Sequence, residues 1–240
     1  MKITAVVALA ILLIPMASFA DDAAKKAAVT DMVRALGYGG AIHNFKNYVL
    51  RGKDKYNRKA DTSFQTAQTA IQAFRNAEPT KMETAVLDDI NQVIQLYRDA
   101  LPIIQVMIGK KTAKEIDAGV KISDGPAISG IAKLRKGHEW GALAEIEYAL
   151  GYGCGIHQFK NYVLRGDARR EKAETCFTTA ETAIKKLDGA AGVTRVIAEY
   201  KAALATTAEM IDAGKTAEEI DGSVKISDNL AKDNLKVLRK

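Results

Sequence analysis

Proline occurs four times in 240 residues, tryptophan once, cysteine twice and histidine three times. With so little proline, long helices meet few interruptions. Alternating Val/Ile/Thr runs are nearly missing, which excludes a strand-built fold. Beyond the first residues no stretch approaches the roughly 20 apolar residues of a spanning helix. There is no block of Lys or Arg: the formal net charge of +6 is spread over many positions, and no nucleic-acid motif accompanies it. Nucleic acid is therefore not an expected partner. HExxH, Walker and nucleophile-elbow sequences are lacking, so no enzyme is expected. Neither HxxxH nor ExxH occurs, which leaves metal weakly supported. The absence of CxxCH excludes covalent haem.

What is there begins with the pattern of a secretory leader. Lys2 is followed by an apolar run from Ile3 to Met16, and Ser18-Phe19-Ala20 puts small residues at −3 and −1 of a cleavage site. Residues 1–20 are read as a signal peptide, and a periplasmic or secreted location follows. Loss of Lys2 lowers the net charge from +6 to +5, a balance that favours anionic partners weakly.

The remainder is organised around a stretch that occurs twice. GYGGAIHNFKNYVLRG runs from Gly37 to Gly52 and GYGCGIHQFKNYVLRG from Gly151 to Gly166, with the same residue at thirteen of sixteen positions. Matching continues from Phe64/Phe177 and Tyr97/Tyr200 to VKISD at Val120–Asp124 and Val224–Asp228. The offset falls from 114 at the first helix to 104 at the last. The expectation is an all-α chain of two tandem four-helix-bundle-like repeats, 21–137 and 138–240. Separate bundles and one shared core both remain open.

Within each copy the spacing predicts one long first helix, Asp22–Arg51 and Glu139–Arg165, stopped by Gly52 in the first. At 100° per residue Tyr38, Ala41, Ile42, Phe45, Tyr48 and Val49 form a core stripe. Helices over Tyr56–Ala77, Lys81–Ile108 and Ala127–Lys136 follow, with a capping-box spacing at Thr112/Glu115. In the second copy they fall at Arg169–Leu187 and Val193–Ala213.

The candidate ligand-binding residues lie on the repeated helix: His43, Lys46, Asn47, Tyr48 and Arg51, with His157, Lys160, Asn161, Tyr162 and Arg165. A neutral imidazole binds ligands and metals, and equally sits at a core edge against a carboxylate. Arg51 and Arg165 can grip a carboxylate bidentately or complement a helix C-terminus. The two lysines are expected in solvent. The repeated glycines cost roughly 1 kcal/mol each against alanine in a helix, which suggests close approach by a neighbouring helix or a ligand. Asp124 and Asp228 are read as N-caps; Asp117 can pair with Lys121 or reach the histidine. Cys154 and Cys176 flank the Gly166 turn and face each other in an antiparallel hairpin, so a disulfide is expected.

On the duplicated stretch, GYGG…IHNFKNYVLRG and GYGC…IHQFKNYVLRG, and on VKISD in both copies, the chain resembles the extracytoplasmic helical sensor region of bacterial methyl-accepting chemotaxis proteins and related membrane transducers. The resemblance covers nearly the whole mature chain. It implies a helical bundle and a ligand-binding or sensing role, with a membrane-bound transducer or a homo-oligomer as partner. The sequence departs from the family in its duplication and in lacking a second membrane helix and an output domain, so signal output across the membrane is not implied. The expected function is an exported, sensor-like module that binds a small anionic ligand and needs no cofactor. The alternatives are an association scaffold built on the repeated helix, and a haem or metal carrier through His43 and His157.

Overall fold

The structure, a computed structural model, describes residues 17–166, 168–224 and 226–240, with side chains from residue 21 onward. The expected leader lies outside the described residues except for its last four. Among the described residues the regular structure is entirely helical, without strands. The first copy contains α1 (Ala17–Leu36), α2 (Ala41–Arg51), α3 (Asp54–Arg75), α4 (Lys81–Met107), α5 (Ala113–Gly119) and α6 (Gly125–Arg135). The second contains α7 (Ala142–Leu150), α8 (Gly155–Arg165), α9 (Arg169–Ile184), α10 (Ala191–Asp212), α11 (Ala217–Ser223) and α12 (Asn229–Leu238). No described helix is long and apolar enough to cross a membrane.

Several boundaries follow local chemistry. Thr80/Glu83, Thr112/Glu115 and Thr216/Glu219 each form a reciprocal capping box that starts α4, α5 and α11. Left-handed caps at Gly52 and Gly166 end α2 and α8. Helix α4 runs through Pro102.

The single long first helix of each copy is not what forms. Both break at the glycine cluster, between Leu36 and Ala41 and between Leu150 and Gly155. Gly39 and Gly153 adopt φ of +76° and +82°, which no helix continues through. The side chains of Asn44 and Gln158 reach back to hold the turn: Asn44 Nδ2 donates to the carbonyls of Gly39 and Gly40, and Gln158 Nε2 to that of Gly153.

The break lets the copies meet. A Cβ on Gly37 would stand 3.2 Å from the Cα of Gly151, and one on Gly151 would stand 3.3 Å from the Cα of Gly37. Around this contact α2 packs on α8, α1 on α7, and α2 and α8 each reach the short helix of the other copy, α11 and α5. Within each copy the first two helices pack on the third (α3, α9), and the fourth (α4, α10) packs on the last. Buried side chains from both copies belong to one continuous cluster, including Phe45, Phe64, Tyr97, Phe159, Phe177 and Tyr200. The core is shared. Cys154 and Cys176 are joined by a disulfide with Cα atoms 5.5 Å apart, tying the start of α8 to α9.

Candidate functional site

Helices α2 and α8 carry three polar side chains at i, i+4 and i+8: His43, Asn47 and Arg51, and His157, Asn161 and Arg165. That spacing lines each set along one helix face. In both cases the face meets the loop and short helix of the opposite copy. His43 Nε2 lies 3.2 Å from Asp228 Oδ2, and Arg51 grips Asp221 through Nε and Nη2 at 2.7 and 3.0 Å. Reciprocally, Arg165 grips Asp117 through Nε and Nη2 at 2.6 and 3.3 Å, and His157 Nε2 lies 3.6 Å from Asp124 Oδ2.

Tyrosines complete the exchange. Asp124 accepts the hydroxyls of Tyr97 and Tyr152 at 2.5 and 2.7 Å, and Asp228 accepts those of Tyr200 and Tyr38 at 2.7 and 3.0 Å. In each pair one tyrosine comes from the same copy and one from the other. Asp124 and Asp228 stand at N-cap positions, but neither side chain makes a capping bond. The expectation that they are caps is corrected: the carboxylates accept tyrosine hydroxyls instead of helix N–H groups. Asp117 pairs with neither Lys121 nor a histidine; it takes Lys46 and Arg165.

The lysines also depart from expectation. Lys46 and Lys160 are 3 % and 4 % exposed, because the break turns α2 and α8 edge-on into the seam. Lys46 Nζ bonds Asp117 Oδ1 at 2.8 Å, whereas Lys160 Nζ crosses to Asn47 Oδ1 at 2.7 Å. Burial lowers both ammonium pKa values, opposed by Asp117 at Lys46 and by Asp228 and Asp221 at Lys160. Tyr48 and Tyr162, also singled out in the sequence, pack in the hydrophobic core. The Tyr48 hydroxyl faces Asn57 and Asp54 rather than the histidines.

The cluster's formal charges cancel: Lys46, Lys160, Arg51 and Arg165 against Asp117, Asp124, Asp221 and Asp228. Burial would raise the Asp228 carboxyl, but the His43 hydrogen bond, the Lys160 charge and the Tyr200 hydroxyl hold it below its usual range. Both imidazoles are pushed down to about 4, chiefly by burial, with the facing aspartate opposing. They are therefore neutral at pH 7. His157 Nδ1 accepts the Gly153 N–H at 3.0 Å, so its proton sits on Nε2.

Between the two histidines, Lys46 and Lys160 lies a cavity of about 10 Å³, the room of a single water. It cannot hold haem, and no three metal-ligating side chains cluster among the described residues. The two arginines are already engaged by aspartates, so they are not open to grip a ligand within the seam.

A roomier opening lies on the outer side of the α8 face. It is a cleft of about 470 Å³ between α8, α9 and the loop leading into α6, a volume within the range of small-molecule sites. The loop supplies Lys121 and Asp124, and α9 supplies Arg169 and Lys172. Helix α8 supplies His157, Gln158, Asn161 and Arg165. Four cationic side chains and one carboxylate thus line the cleft, Arg165 being already held by Asp117. Asn161 Oδ1, Gln158 Oε1 and His157 Nε2 are buried there without hydrogen-bond partners. Of the residues expected to bind a ligand, His157, Asn161 and Arg165 meet at this cleft, whereas Lys46, Lys160, Asn47 and Arg51 are spent on the seam. Sequence reasoning did not pick out Lys121, Arg169 and Lys172 as ligand contacts. They come from a different copy or a different helix, and only folding brings them to α8.

No family model matches the chain, and neither does any curated protein or solved structure with which it was compared.

Proposed function

We propose that the chain is an exported, sensor-like module of two tandem four-helix-bundle-like repeats that binds a small anionic ligand. The observation that carries this reading is the α8 cleft, lined by Lys121, Arg165, Arg169 and Lys172 beside Asp124, with Lys121 and Lys172 exposed and without a carboxylate partner among the described residues. A cleft lined by one sign of charge concentrates ligands of the other. The sequence resemblance to chemotaxis sensor regions supports the sensing role. A membrane-bound transducer or a second copy of the chain is the partner that this role would require.

The test is thermal unfolding of the full chain with small carboxylates, phosphate and sulfate at matched ionic strength. A ligand that binds only the native state raises Tm with its concentration. A rise beyond that given by chloride, weakened in Lys121→Ala and Lys172→Ala, supports the reading. Equal behaviour of every anion and chloride overturns it.

A second reading concerns the repeated stretch itself. Its Gly37–Gly151 contact and charge-balanced polar seam favour association as the role of the α2 and α8 faces, with the two copies serving as each other's partner. This assigns the first copy's His43, Asn47 and Arg51 to holding the halves together. Ligand recognition is left to the outer side of α8.

A further inference from the structure

The α8 cleft has a counterpart in the other half. On the outer side of α2, between α2, α3 and the start of α12, lies a second cleft of about 500 Å³. Its place is equivalent. By the Phe64/Phe177 match Lys59 corresponds to Lys172, and by the histidine match Asn44 corresponds to Gln158; each of the four lines its own cleft. The charges differ. No carboxylate lines the α2 cleft, whereas Lys55, Arg58, Lys59 and Lys232 do.

Arg58 is held by Asp54 and is not counted. Among the described residues the three lysines have no carboxylate partner. Lys55 and Lys232 stand 5.0 and 5.9 Å from the ring centres of Tyr56 and Tyr38, contacts that neutralise no charge. Lys55 and Lys59 are exposed and Lys232 is half-buried, so an occupant of the cleft meets accessible groups. Thr62, Ser63 and Asn229 add hydroxyl and amide donors.

Packing does not account for the ammonium of Lys232. Its stem lies along Gly39 of the opposite copy: Cε, Cδ and Cγ would stand 3.0, 3.4 and 3.7 Å from a Cβ there. By the Asp124/Asp228 match Lys232 corresponds to Ile128, and Ile128 covers Gly153 in the same way, at 2.9 to 3.0 Å. A hydrocarbon therefore suffices to cover the glycine. At 232 the chain adds a cation, directs it to the cleft and gives it no carboxylate.

A monocarboxylate would offset one of three unpaired charges. A phosphate dianion offsets two, and its oxygens accept charge-assisted hydrogen bonds from ammonium groups and further bonds from hydroxyls. We infer that the cleft between α2, α3 and α12 is a second anion site, for a small dianionic phosphate, free or as a monoester. The inference goes beyond the reading of the α8 cleft and does not rest on it.

Calorimetric titration of the full chain with inorganic phosphate, glycerol 3-phosphate and acetate tests this. Ionic strength is matched with chloride, at about pH 8, where phosphate is chiefly a dianion. Phosphate should bind tighter than acetate by on the order of tenfold. Lys59→Ala with Lys232→Met, which keeps a stem over Gly39, should remove most of that preference. Lys121→Ala with Lys172→Ala should leave it. Lys55→Ala, at an exposed position, provides the same readout should the Lys232→Met chain fold poorly. Both phosphates should respond to these substitutions, and the tighter of the two identifies the source. Acetate binding as tightly as phosphate overturns the inference, as does a preference that survives Lys59→Ala with Lys232→Met. A preference abolished only by Lys121→Ala with Lys172→Ala overturns it too and leaves the α8 reading standing. Loss confined to the Lys59 and Lys232 variants, with every anion indifferent to Lys121→Ala and Lys172→Ala, supports the second site and removes the α8 reading.

Discussion

Lys160 crosses the seam and donates to Asn47 Oδ1 at 2.7 Å, while Asn161, its counterpart in the other copy, keeps Oδ1 without a partner. Two amides at matching positions of a repeat therefore do different work. Asn47→Ala strands a buried ammonium, and breaking a buried charged contact costs several kcal/mol. The expected loss is about 3 kcal/mol, against about 1 kcal/mol or less for Asn161→Ala, which removes no bond at Oδ1. Urea midpoints of the two variants at neutral pH check the difference. Equal losses would mean that the lysine does not depend on Asn47.

The seam also depends on two residues that have no side chain. A Cβ on Gly37 would lie 2.5 Å from the Val33 carbonyl oxygen and 3.2 Å from Gly151 Cα. Neither neighbour is a flexible side-chain end, so the backbones must part. Overpacking of this kind costs typically 1–3 kcal/mol. Gly37→Ala is expected to lose about 2 kcal/mol, and Gly151→Ala a similar amount by the reciprocal contact. Gly141→Ala is a control, since its Cβ would meet nothing within 4 Å. Chemical denaturation of the three variants provides the comparison.

How much of this could be read from the residues follows from which interactions are local. The helical class, the capping box at Thr112 and the stop at Gly52 depend on neighbours within four positions, and the sequence carries them openly. The cysteine pairing was legible because Cys154 and Cys176 sit symmetrically about one turn. The helix break at Gly37–Gly40 was harder to see, because the flanking apolar spacing stays helical on both sides. Repetition of glycine at 37/151 and 39/153 was its signal. Burial of Lys46 and Lys160 was invisible, since it depends on the two copies meeting across the seam. The aspartates could have been found from their recurrence at 117/221 and 124/228, opposite a repeated His and Arg. Which copy each would serve could not be found from one chain read in order. The α8 cleft lay further from reach, because Lys121 comes from the first copy, and Arg169 and Lys172 from the helix after the repeat.

The disulfide joins residues 22 apart in the second copy alone; Gly40 and Ser63 stand at the corresponding positions of the first. Closing a loop of that length in the unfolded chain contributes roughly 3 kcal/mol on a chain-entropy account. Reductant, or Cys154→Ser with Cys176→Ser, should lower stability by that order. Because Phe45, Phe159, Phe177 and Tyr97 belong to one core, the loss should appear as a single shifted transition of the whole chain. Two separated transitions under reducing conditions would mean that the copies unfold independently. Thermal melts followed by far-UV circular dichroism, with and without reductant, distinguish these outcomes.

Acid should loosen the seam before it reaches the carboxylates. An ordinary histidine titrates near 6.5, and His43 and His157 are held at about 4, chiefly by burial. Between those values the unfolded chain binds protons that the native chain refuses. Stability is then full above 6.5 and declines as pH falls towards 4. The loss approaches roughly 3 kcal/mol per ring once pH reaches the lower value. Burial sets most of this size; Asp228 at His43 and Asp124 at His157 oppose it, and Lys160 and Lys232 at His43, and Lys46, Arg165 and Arg169 at His157, add to it. The carboxyls of Asp117 and Asp228 are held below their usual 3.8, so their contributions are lost only at lower pH, and the two windows separate. Urea midpoints measured between about pH 7 and about pH 4.5 should fall steadily, and His43→Gln with His157→Gln should flatten the slope. A wild-type midpoint constant across that range would place both imidazoles in contact with water.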